Sequence, residues 1–409
     1  MEKARLRVAI LSAHSCPLGK VGAKDTGGMS VYIRELAREL GKHGHVVDVF
    51  TRAHNLEHEQ IMELGKNARL IHIKAGEDEQ IHKLAIYLHL PDFACNLEGF
   101  RKNNQLQYDI VFSHYWLSAW VGNFLQSWWS VPHIVMFHTL GAVKNAIGIG
   151  EDEPDLRIET ERYLIKNCHR IIAPTERGKR DIIFHYDAIP ENISVIPCGV
   201  NLRLFHPMDK ETVRKQVGLD DNRCILYAGR FDALKGIDRL FNAMTYINNG
   251  NNLKLIVIGG DGESEYDIGL QRLSREIQIQ DLVDFRGIVA QEELPLFYNA
   301  ADVVVIPSYY ESFGLVALES LACGTPVVTT KVGSAESVIR QGETGYVATS
   351  NDPQVLAEKI MQVLSRQNGS SESINKVRAS VADFEWSNIA GAVIKEYRAV
   401  MAEYSSKNG

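Results

Sequence analysis

Short apolar runs alternate with stretches of helical periodicity along the whole chain. The first run, residues 7–13, is almost continuously apolar, which is typical of a parallel strand buried on both faces. After a glycine loop, apolar residues recur at intervals of three and four and predict a helix over residues 29–42. Helical stretches separate the further strands, which are predicted at residues 46–51, 108–113, 133–138, 170–174 and 193–197.

The alternation restarts at Arg223. Its strands are predicted at residues 224–228, 253–259, 283–285, 302–307, 326–330 and 345–348. Its helices are predicted around residues 235–248, 263–278, 291–300, 314–323 and 353–366. Two such runs predict an α/β protein with two doubly wound domains, residues 1–200 and 201–384, which face each other across a cleft. A long helix begins at Trp386, and we expect the segment 385–409 to pack back on the first domain.

Composition narrows the class of protein. The chain has 409 residues, 45% of them hydrophobic and 23% charged, which suits a soluble globular protein with two cores. A net charge of −7 argues against a nucleic-acid partner, because such proteins present a basic face. The six cysteines form no C-x-x-C pair, and the histidines, His54 among them, show no spacing typical of a metal site. Neither a signal peptide nor a membrane span is predicted, which favours the cytoplasm.

Two carboxylates, Glu311 and Glu319, bracket a turn that contains Phe313-Gly314. A helix that begins at this turn would direct its free N–H groups at an anion, and both carboxylates could face the same ligand. A sugar nucleotide offers such an anionic diphosphate together with hydroxyl groups. The alternative is that each glutamate is a solvated residue on an amphipathic helix.

A pair of cations follows the first strand of the second domain, in the segment Gly229-Arg230 to Lys235-Gly236. Two cations at the N-terminus of a helix make a pyrophosphate site, and this position faces the Glu311 loop across the sheet ends. The alternative is a solvated loop.

The corresponding loop of the first domain, residues 14–30, contains Gly27-Gly28. It lacks the G-x-G-x-x-G pattern, and the second strand ends in Phe50-Thr-Arg52 without an acidic residue, which disfavours a nicotinamide dehydrogenase. A phosphate-binding loop is favoured over a plain turn.

His138 ends a predicted strand at the cleft and is interpreted as a polar contact for a sugar, whereas His114 is interpreted as structural. No D-x-D pair follows a strand, so a metal-held diphosphate is not expected. The cations and the helix N-termini would neutralise the diphosphate instead. Four widely separated residues have no significance from their spacing alone: Lys83, Tyr115, Thr139 and Arg157.

In combination, these motifs resemble the retaining glycosyltransferases of family 4, which have the GT-B fold. The motifs are Asp25-Thr-Gly-Gly28, Gly229-Arg-x₄-Lys235-Gly236, Glu311-x₇-Glu319 and Phe384-x-Trp386. The resemblance covers nearly the whole chain. It is strongest to the inositol-phosphate glycosyltransferases, on segments 25–33, 113–118 and 138–145, and more distant to the sucrose-phosphate synthases.

The resemblance implies roles for individual residues. Arg230 and Lys235 would hold the donor diphosphate, Glu319 the ribose and Glu311 the sugar hydroxyls, with His138 at the 6-hydroxyl of the sugar. The implied catalytic residues are His138, Arg230, Lys235 and Glu311. The implied donor-binding residues are Gly28, Arg230, Lys235, Glu311, Gly314, Leu315 and Glu319. The implied acceptor-binding residues are Lys83, Tyr115, Thr139 and Arg157, which would clamp a phosphate, and Ser30.

Two features depart from the family pattern. Ser30 stands where the inositol-phosphate enzymes are expected to have Asn, and the loop 148–155 is unusually acidic. The implied reaction is transfer of a hexose from UDP-GlcNAc or UDP-glucose to a phosphorylated polyol or sugar such as inositol phosphate. It would retain configuration by front-face attack and need no metal or other cofactor. The alternatives left open for the reaction are fructose 6-phosphate as the acceptor, GDP-mannose as the donor, a sugar-nucleotide epimerase and a non-catalytic sensor. A homodimer is left open as the assembly state.

Overall fold

The computed structural model describes residues 5–19, 26–55, 59–77, 81–219, 222–247, 253–260, 262, 264–366 and 370–408. Asp25, the first residue of the predicted Asp-Thr-Gly-Gly motif, lies outside this part of the chain.

The first sheet contains eight of the described strands in the order β3-β4-β2-β1-β5-β6-β7-β8. Their bounds are β1 Arg7–Leu11, β2 Val46–Arg52, β3 Ile61–Gly65, β4 Ala68–Ile73, β5 Ile110–His114, β6 His133–Met136, β7 Arg170–Ala173 and β8 Ile193–Val195. The helices of this region are α1 Gly28–Lys42, α2 Lys83–Ile86, α3 Leu90–Asn103, α4 Tyr115–Trp129, α5 Gly141–Ile147, α6 Asp155–Asn167 and α7 Glu176–Tyr186. All strand pairs of this sheet are parallel except β3 with β4.

The second sheet contains six of the described strands in the order β11-β10-β9-β12-β13-β14, all parallel. Their bounds are β9 Arg223–Ala228, β10 Leu253–Ile258, β11 Val283–Gly287, β12 Val303–Ile306, β13 Val327–Thr330 and β14 Gly345–Ala348. Its helices are α8 Lys210–Val217, α9 Ile237–Ile247, α10 Glu265–Glu276, α11 Leu294–Ala300, α12 Leu315–Ala322, α13 Ala335–Val338, α14 Pro353–Leu364 and α15 Ser371–Ala379. Two parallel-stranded, doubly wound units confirm the predicted fold class.

Strands β3 and β4 and helix α15 were not predicted. Strand β3 lies at the edge of the sheet and is largely exposed, so it lacks the continuous apolar run that identifies the buried strands. Arg69 and His72 interrupt the apolar pattern of β4. These two strands extend the first sheet beyond β2, and β4 contains His72.

The last helix, α16, spans Trp386–Asn408 and packs on the first domain, as predicted. Arg170 in β7 donates hydrogen bonds of 2.7 and 2.8 Å to the Glu403 carboxylate. Ser194 Oγ donates to Glu396 Oε1 at 2.7 Å. No helix of the described chain combines the length and the apolar character that crossing a membrane requires.

The chain passes between the two domains twice, and the two crossings touch. Val200 and Glu385 form a parallel β-bridge, and the N–H of Val200 donates to the carbonyl of Phe384 at 2.8 Å. Gly199 lies so close to Trp386 that a Cβ there would be 2.5 Å from the indole ring. The two crossings therefore form one compact connection beside the cleft.

Candidate active site

One cavity of about 350 Å³ lies between the two domains, where the carboxyl ends of the strands of both sheets meet. Loops and helix starts of both domains line it, which is the usual place for a ligand in open α/β sheets. It brings together all but one of the residues that were predicted for the site. Those residues are Gly28, Lys83, Tyr115, His138, Thr139, Arg157, Arg230, Lys235, Glu311, Gly314, Leu315 and Glu319.

Lys235 and Glu311 form an ion pair on the second-domain wall of the cavity. Lys235 Nζ lies 2.7 Å from Glu311 Oε1, and the same oxygen accepts a hydrogen bond of 2.9 Å from Ser308 Oγ. Lys235 ends a 3₁₀ turn, and Gly236 follows it with φ of 65°. A Cβ on Gly236 would be 2.3 Å from the carbonyl oxygen of Pro307, so glycine is required for this close approach. The ammonium group is therefore fixed at the cavity wall.

The N-terminus of α12 also faces the cavity. Gly314 is the N-cap with φ of 101°, no side chain caps the helix, and Gly314 and Leu315 line the cavity. First-turn N–H groups lack partners within a helix, and the helix dipole adds positive potential there. This end of α12 therefore suits an anion, as the sequence predicted.

The glycine loop of the first domain reaches this anion-binding wall. Gly28 is exposed at the start of α1, and a Cβ on it would be 3.4 Å from Leu315 Cδ1. A Cβ on Gly27 would be 3.7 Å from Arg230 Nε. Because the loop lacks side chains here, its backbone can approach a group that is bound between Arg230 and α12.

Glu319 is a buried carboxylate in this wall. Its exposed fraction is 7%, and its Oε2 accepts a hydrogen bond of 2.7 Å from Tyr298 OH. Burial raises the pKa of Glu319 to about 7, against the lowering effects of its hydrogen bonds and of Arg34. Arg34 belongs to α1 of the first domain and donates a hydrogen bond to Gln291 of the second. The carboxylate is thus linked to both domains.

His138 lies at the boundary between the two walls. Its Nε2 is 2.9 Å from Nδ1 of His114, which is fully buried. Burial lowers the pKa of His138 to about 3, so the imidazole is neutral. His138 has φ of 60°, an unusual conformation for a non-glycine residue that is held by its surroundings. His114, interpreted as structural, therefore orients His138.

Arg157, Thr139 and Tyr115 form one cluster on the first-domain wall. Arg157 Nη2 donates to the carbonyl of Thr139 at 2.9 Å and to its Oγ1 at 3.1 Å. The guanidinium carbon of Arg157 lies 4.8 Å from the centroid of the Tyr115 ring. Tyr115 starts α4 with φ of 74°, also strained. The fold thus brings together three residues whose positions in the sequence are far apart.

Glu153 from the acidic loop 148–155 is part of the same cluster, and the sequence analysis missed its role. It is buried and forms an ion pair with Lys144 and another, 2.8 Å long, with Arg157 Nη1. Burial raises the pKa of Glu153, but Arg157 and Lys144 outweigh this effect and hold it at about 2. Arg157 Nε also donates to Glu161 at 2.7 Å. The loop therefore supplies a permanent negative charge to two cavity cations.

His14 is a second residue that the sequence analysis missed. It lines the cavity, its ring centroid lies 4.4 Å from that of Tyr115, and its Nδ1 has no hydrogen-bond partner among the described residues. The pKa of His14 is lowered to about 3, first by burial and then by Lys83, with smaller effects from other neighbours. Its position directly after β1, at the start of the glycine loop, is the feature of the sequence that could have identified it as a cavity residue.

Ser30 is the predicted residue that does not line the cavity. It is 1% exposed, and its Oγ lies 2.6 Å from Ser15 Oγ within the first domain. The helix α1 directs this side chain inward, so the Ser30 hydroxyl is used to hold the start of the glycine loop. Its contact with an acceptor stays a prediction.

Two family profiles match the chain. The profile described as "Glycosyltransferase Family 4" matches residues 26–204, and the profile described as "Glycosyl transferases group 1" matches residues 209–379. The first match includes strands β2 to β8 of the first sheet, and the second includes all six strands of the second sheet.

Several relatives match almost the full length of the chain. A D-inositol 3-phosphate glycosyltransferase of Geodermatophilus obscurus is 36% identical over 411 residues, which cover 98% of this chain and 91% of the relative. The enzyme of the same name from Streptomyces scabiei is 35% identical over 410 residues, which cover 97% and 92%.

Solved structures agree with this relationship. A sucrose-phosphate synthase from Thermosynechococcus elongatus has a TM-score of 0.89 and 31% sequence identity, with 98% of this chain and 100% of that chain covered. Anabaena HepE in complex with UDP-glucose has a TM-score of 0.76 at 18% identity, with 97% and 100% covered, which shows the shared fold. With two facing doubly wound domains and relatives that match almost its full length, the chain belongs to the GT-B glycosyltransferases of family 4.

Proposed function

We propose that this glycosyltransferase moves a hexose from a UDP-sugar, UDP-GlcNAc or UDP-glucose, to a phosphorylated polyol or sugar such as inositol phosphate. The observation that carries the proposal is the composition of the interdomain cavity of about 350 Å³. Its second-domain wall has an anion site beside two carboxylates, and its first-domain wall has a separate group of cations. A donor with a diphosphate and an acceptor with a phosphate would fill these two regions.

The second-domain wall suits a nucleotide-sugar. Arg230, Lys235 and the N-terminus of α12 converge on the space that Gly28 leaves open, which suits a diphosphate. Glu319 lies in the second turn of α12 and would accept hydrogen bonds from the ribose hydroxyls. Glu311 precedes α12 and would accept hydrogen bonds from the hydroxyls of the donor sugar. Carboxylates accept two hydroxyl hydrogen bonds each, so both ends of the donor would be fixed.

The first-domain wall suits a phosphate group on the acceptor. Lys83, Lys144 and Arg157 line it, with Tyr115 and Thr139 between them as hydroxyl donors. Charge-assisted hydrogen bonds to a phosphate are each worth roughly 1.5–3 kcal/mol, so several together would select a phosphorylated acceptor strongly. The two full-length relatives described above are D-inositol 3-phosphate glycosyltransferases, which supports the same acceptor class.

The proposed reaction retains the anomeric configuration. The bond from the anomeric carbon to the diphosphate oxygen breaks, and the acceptor hydroxyl forms a bond on the same face. Its proton passes to the leaving phosphate oxygen, so the products are the glycoside and the nucleoside diphosphate. Lys235, Arg230 and the α12 amides stabilise the negative charge that develops on the leaving group.

The side chains assigned to the donor sugar fit this front-face route, because neither His138 nor Glu311 is suited to act as a strong base. His138 is neutral and its pKa of about 3 makes it a weak base at neutral pH. Glu311 is paired with Lys235 and accepts from Ser308. His138 is therefore assigned to orient a sugar hydroxyl, and Glu311 to hold the donor sugar. We propose that neutralisation by side chains and helix ends replaces a metal ion.

Fructose 6-phosphate is the second candidate acceptor. The structure of a sucrose-phosphate synthase superposes on the whole chain with a TM-score of 0.89. The same group of cations would hold its phosphate, so the two acceptors differ in the ring that lies next to His138.

A matrix of donors and acceptors, read by mass spectrometry, tests the proposal. The donors are UDP-GlcNAc, UDP-glucose and GDP-mannose, and the acceptors are inositol phosphate, fructose 6-phosphate and their unphosphorylated forms. We expect a glycoside from a UDP-sugar and a phosphorylated acceptor, with retained configuration by NMR. An inverted product would exclude the front-face route. Donor consumption without acceptor would indicate an epimerase or a hydrolase, and binding without turnover would indicate a sensor.

A further inference from the structure

Cys16, His54 and His72 come together at the end of the first sheet, away from the residues that line the cavity. Cys16 follows β1, His54 follows β2, and His72 lies in β4. One ligand atom from each residue lies within 4.8 Å of the other two, and Cys16 Sγ is 4.0 Å from His72 Nε2. Cys16 and His72 are buried, and His54 is partly buried.

Backbone carbonyls orient both imidazole rings. His72 Nδ1 lies 2.9 Å from the carbonyl oxygen of Glu59, and His54 Nδ1 lies 3.2 Å from that of Arg52. An imidazole that donates its Nδ1–H to a carbonyl keeps the electron pair on Nε2. Metal-binding histidines are fixed in this way in most protein sites.

We propose that Cys16, His54 and His72 bind a Zn²⁺ ion. One thiolate and two imidazoles form a ligand set that zinc prefers, and three side chains with a water or a further ligand complete a tetrahedron. Zinc bonds of about 2.3 Å to sulfur and about 2.0–2.1 Å to nitrogen place neighbouring ligand atoms roughly 3.3–3.7 Å apart. Since the ligand atoms lie within 4.8 Å of one another, the three side chains need to approach one another by up to about 1.5 Å.

A reactive or redox-active thiol is the competing interpretation of Cys16. Burial raises the pKa of Cys16, against the weaker lowering effects of the backbone at Leu18 and Gly19. Reactive cysteines are exposed thiolates in electropositive surroundings, and Cys16 is buried and protonated in the absence of a metal. A thiol of this kind with two oriented imidazoles beside it fits a metal ligand better than a nucleophile.

The position of this site connects it to the glycine loop. Cys16 is two residues from His14, which lines the cavity, and one residue from Ser15, whose hydroxyl contacts Ser30 at the start of α1. A zinc ion would join the beginning of this loop to the ends of β2 and β4. The ion would then stabilise the conformation of the loop without touching either substrate.

The test uses the purified full chain, freed of metal, and ZnCl₂ or CoCl₂ alone. We expect one Zn²⁺ per chain in a competition titration with a chromophoric chelator, and a higher Tm with zinc. Bound Co²⁺ should give a thiolate-to-cobalt charge-transfer band. Cys16→Ser should abolish this band and weaken zinc binding at least tenfold, and His54→Asn and His72→Asn should each weaken it to a similar extent.

Cys95→Ser is the matched control, since Cys95 is an exposed free cysteine on α3. It should leave the stoichiometry and the cobalt band unchanged. Stoichiometric binding that persists in Cys16→Ser, or a cobalt complex without a thiolate band, would overturn the proposal, as would no binding by the parent protein. His54 is partly exposed, so His54→Asn should disturb folding less than Cys16→Ser. If Cys16→Ser does not fold, the loss of zinc binding in His54→Asn tests the site instead. None of these measurements uses turnover, so their outcome is independent of the proposed reaction.

Discussion

Glu153 Oε2 lies 2.8 Å from Nη1 of Arg157, so a carboxylate of the protein itself neutralises a central cation of the first-domain wall. The second oxygen of Glu153 pairs with Lys144, and the Asn145 side chain accepts a hydrogen bond of 2.7 Å from the backbone of Glu153. The carboxylate thus competes with any acceptor phosphate for the same two positive charges. Its effect on binding can be measured directly.

Glu153→Gln should lower KM for a phosphorylated acceptor by about three- to tenfold, because Lys144 and Arg157 lose a competing negative charge. Steady-state kinetics with phosphorylated and unphosphorylated acceptors measure the effect. Glu151→Gln removes a charge from an exposed position of the same loop and should change little. An equal change for both acceptors would show that Glu153 acts on folding or access instead of on the phosphate.

Lys83→Ala should raise KM for a phosphorylated acceptor at least tenfold and leave KM for the donor nearly unchanged. Lys83 is preferred for this test, since removing Arg157 would leave the buried Glu161 without its ion-pair partner, a loss of stability of about 3–5 kcal/mol. Arg157→Lys, which keeps a cation, should give a similar but smaller effect. Lys166→Ala, at an exposed position of α6, is the control. An effect of Lys83→Ala confined to the donor would contradict the acceptor clamp.

Lys235→Ala should lower kcat by about 10²–10³, because the leaving diphosphate loses a charge that is fixed before the reaction. The substitution also leaves Glu311 without its partner, so the double variant Lys235→Ala/Glu311→Gln should recover any loss of Tm but not of kcat. Lys376→Ala, at an exposed position of α15, serves as the control. Turnover of Lys235→Ala close to that of the parent enzyme would rule out its role at the diphosphate.

Glu319 should make donor binding depend on pH. Burial raises its pKa from 4.5 to about 7, so the carboxylate proposed to accept ribose hydroxyls becomes protonated as the pH falls below 7. KM for the donor should therefore rise by about tenfold between pH 8 and pH 6. The pKa of Glu319 is higher in the folded state than in the unfolded state. Glu319 therefore lowers the free energy of unfolding as the pH rises from 4.5 to about 7. Glu319→Gln should flatten both profiles, and an unchanged pH dependence of KM would exclude this assignment.

The transfer reaction should proceed in EDTA without added Mg²⁺ or Mn²⁺, because Arg230, Lys235 and the start of α12 neutralise the diphosphate. Rate measurements with and without EDTA check this expectation. A loss that Mg²⁺ or Mn²⁺ restores would contradict it. A loss that only Zn²⁺ restores, and that Cys16→Ser reproduces without EDTA, would instead indicate the proposed site at Cys16.

The fold was predictable because most strands are buried on both faces and therefore appear as apolar runs. Strand β12, whose four residues are all buried, is an example, and its bounds agree with the prediction to within two residues. Strand β3 is exposed at the sheet edge, so burial left no comparable pattern in its sequence. Helix α15 was missed for a similar reason, since Val377 is its one buried residue.

The second-domain wall of the cavity was predictable from local motifs, since Lys235 and Glu311 each follow a strand in a segment that contains glycines. The first-domain wall was not, because Arg157 and Thr139 come together only through the fold. Glu153 belonged to a loop that the sequence marked only as acidic. Cys16 follows β1 and His72 lies in β4, and the sheet order β4-β2-β1 brings the two residues together, which no spacing along the chain reveals.

The bridge between Val200 and Glu385 places both crossings of the chain at one point. Two covalent connections that lie side by side allow the domains to rotate about an axis through that point, but they oppose sliding of one domain past the other. Opening and closing of the cleft would then be a rotation about this connection, with little translation of one sheet relative to the other. The same loops of the two domains would meet at every closure, because the connection fixes which faces of the domains oppose each other.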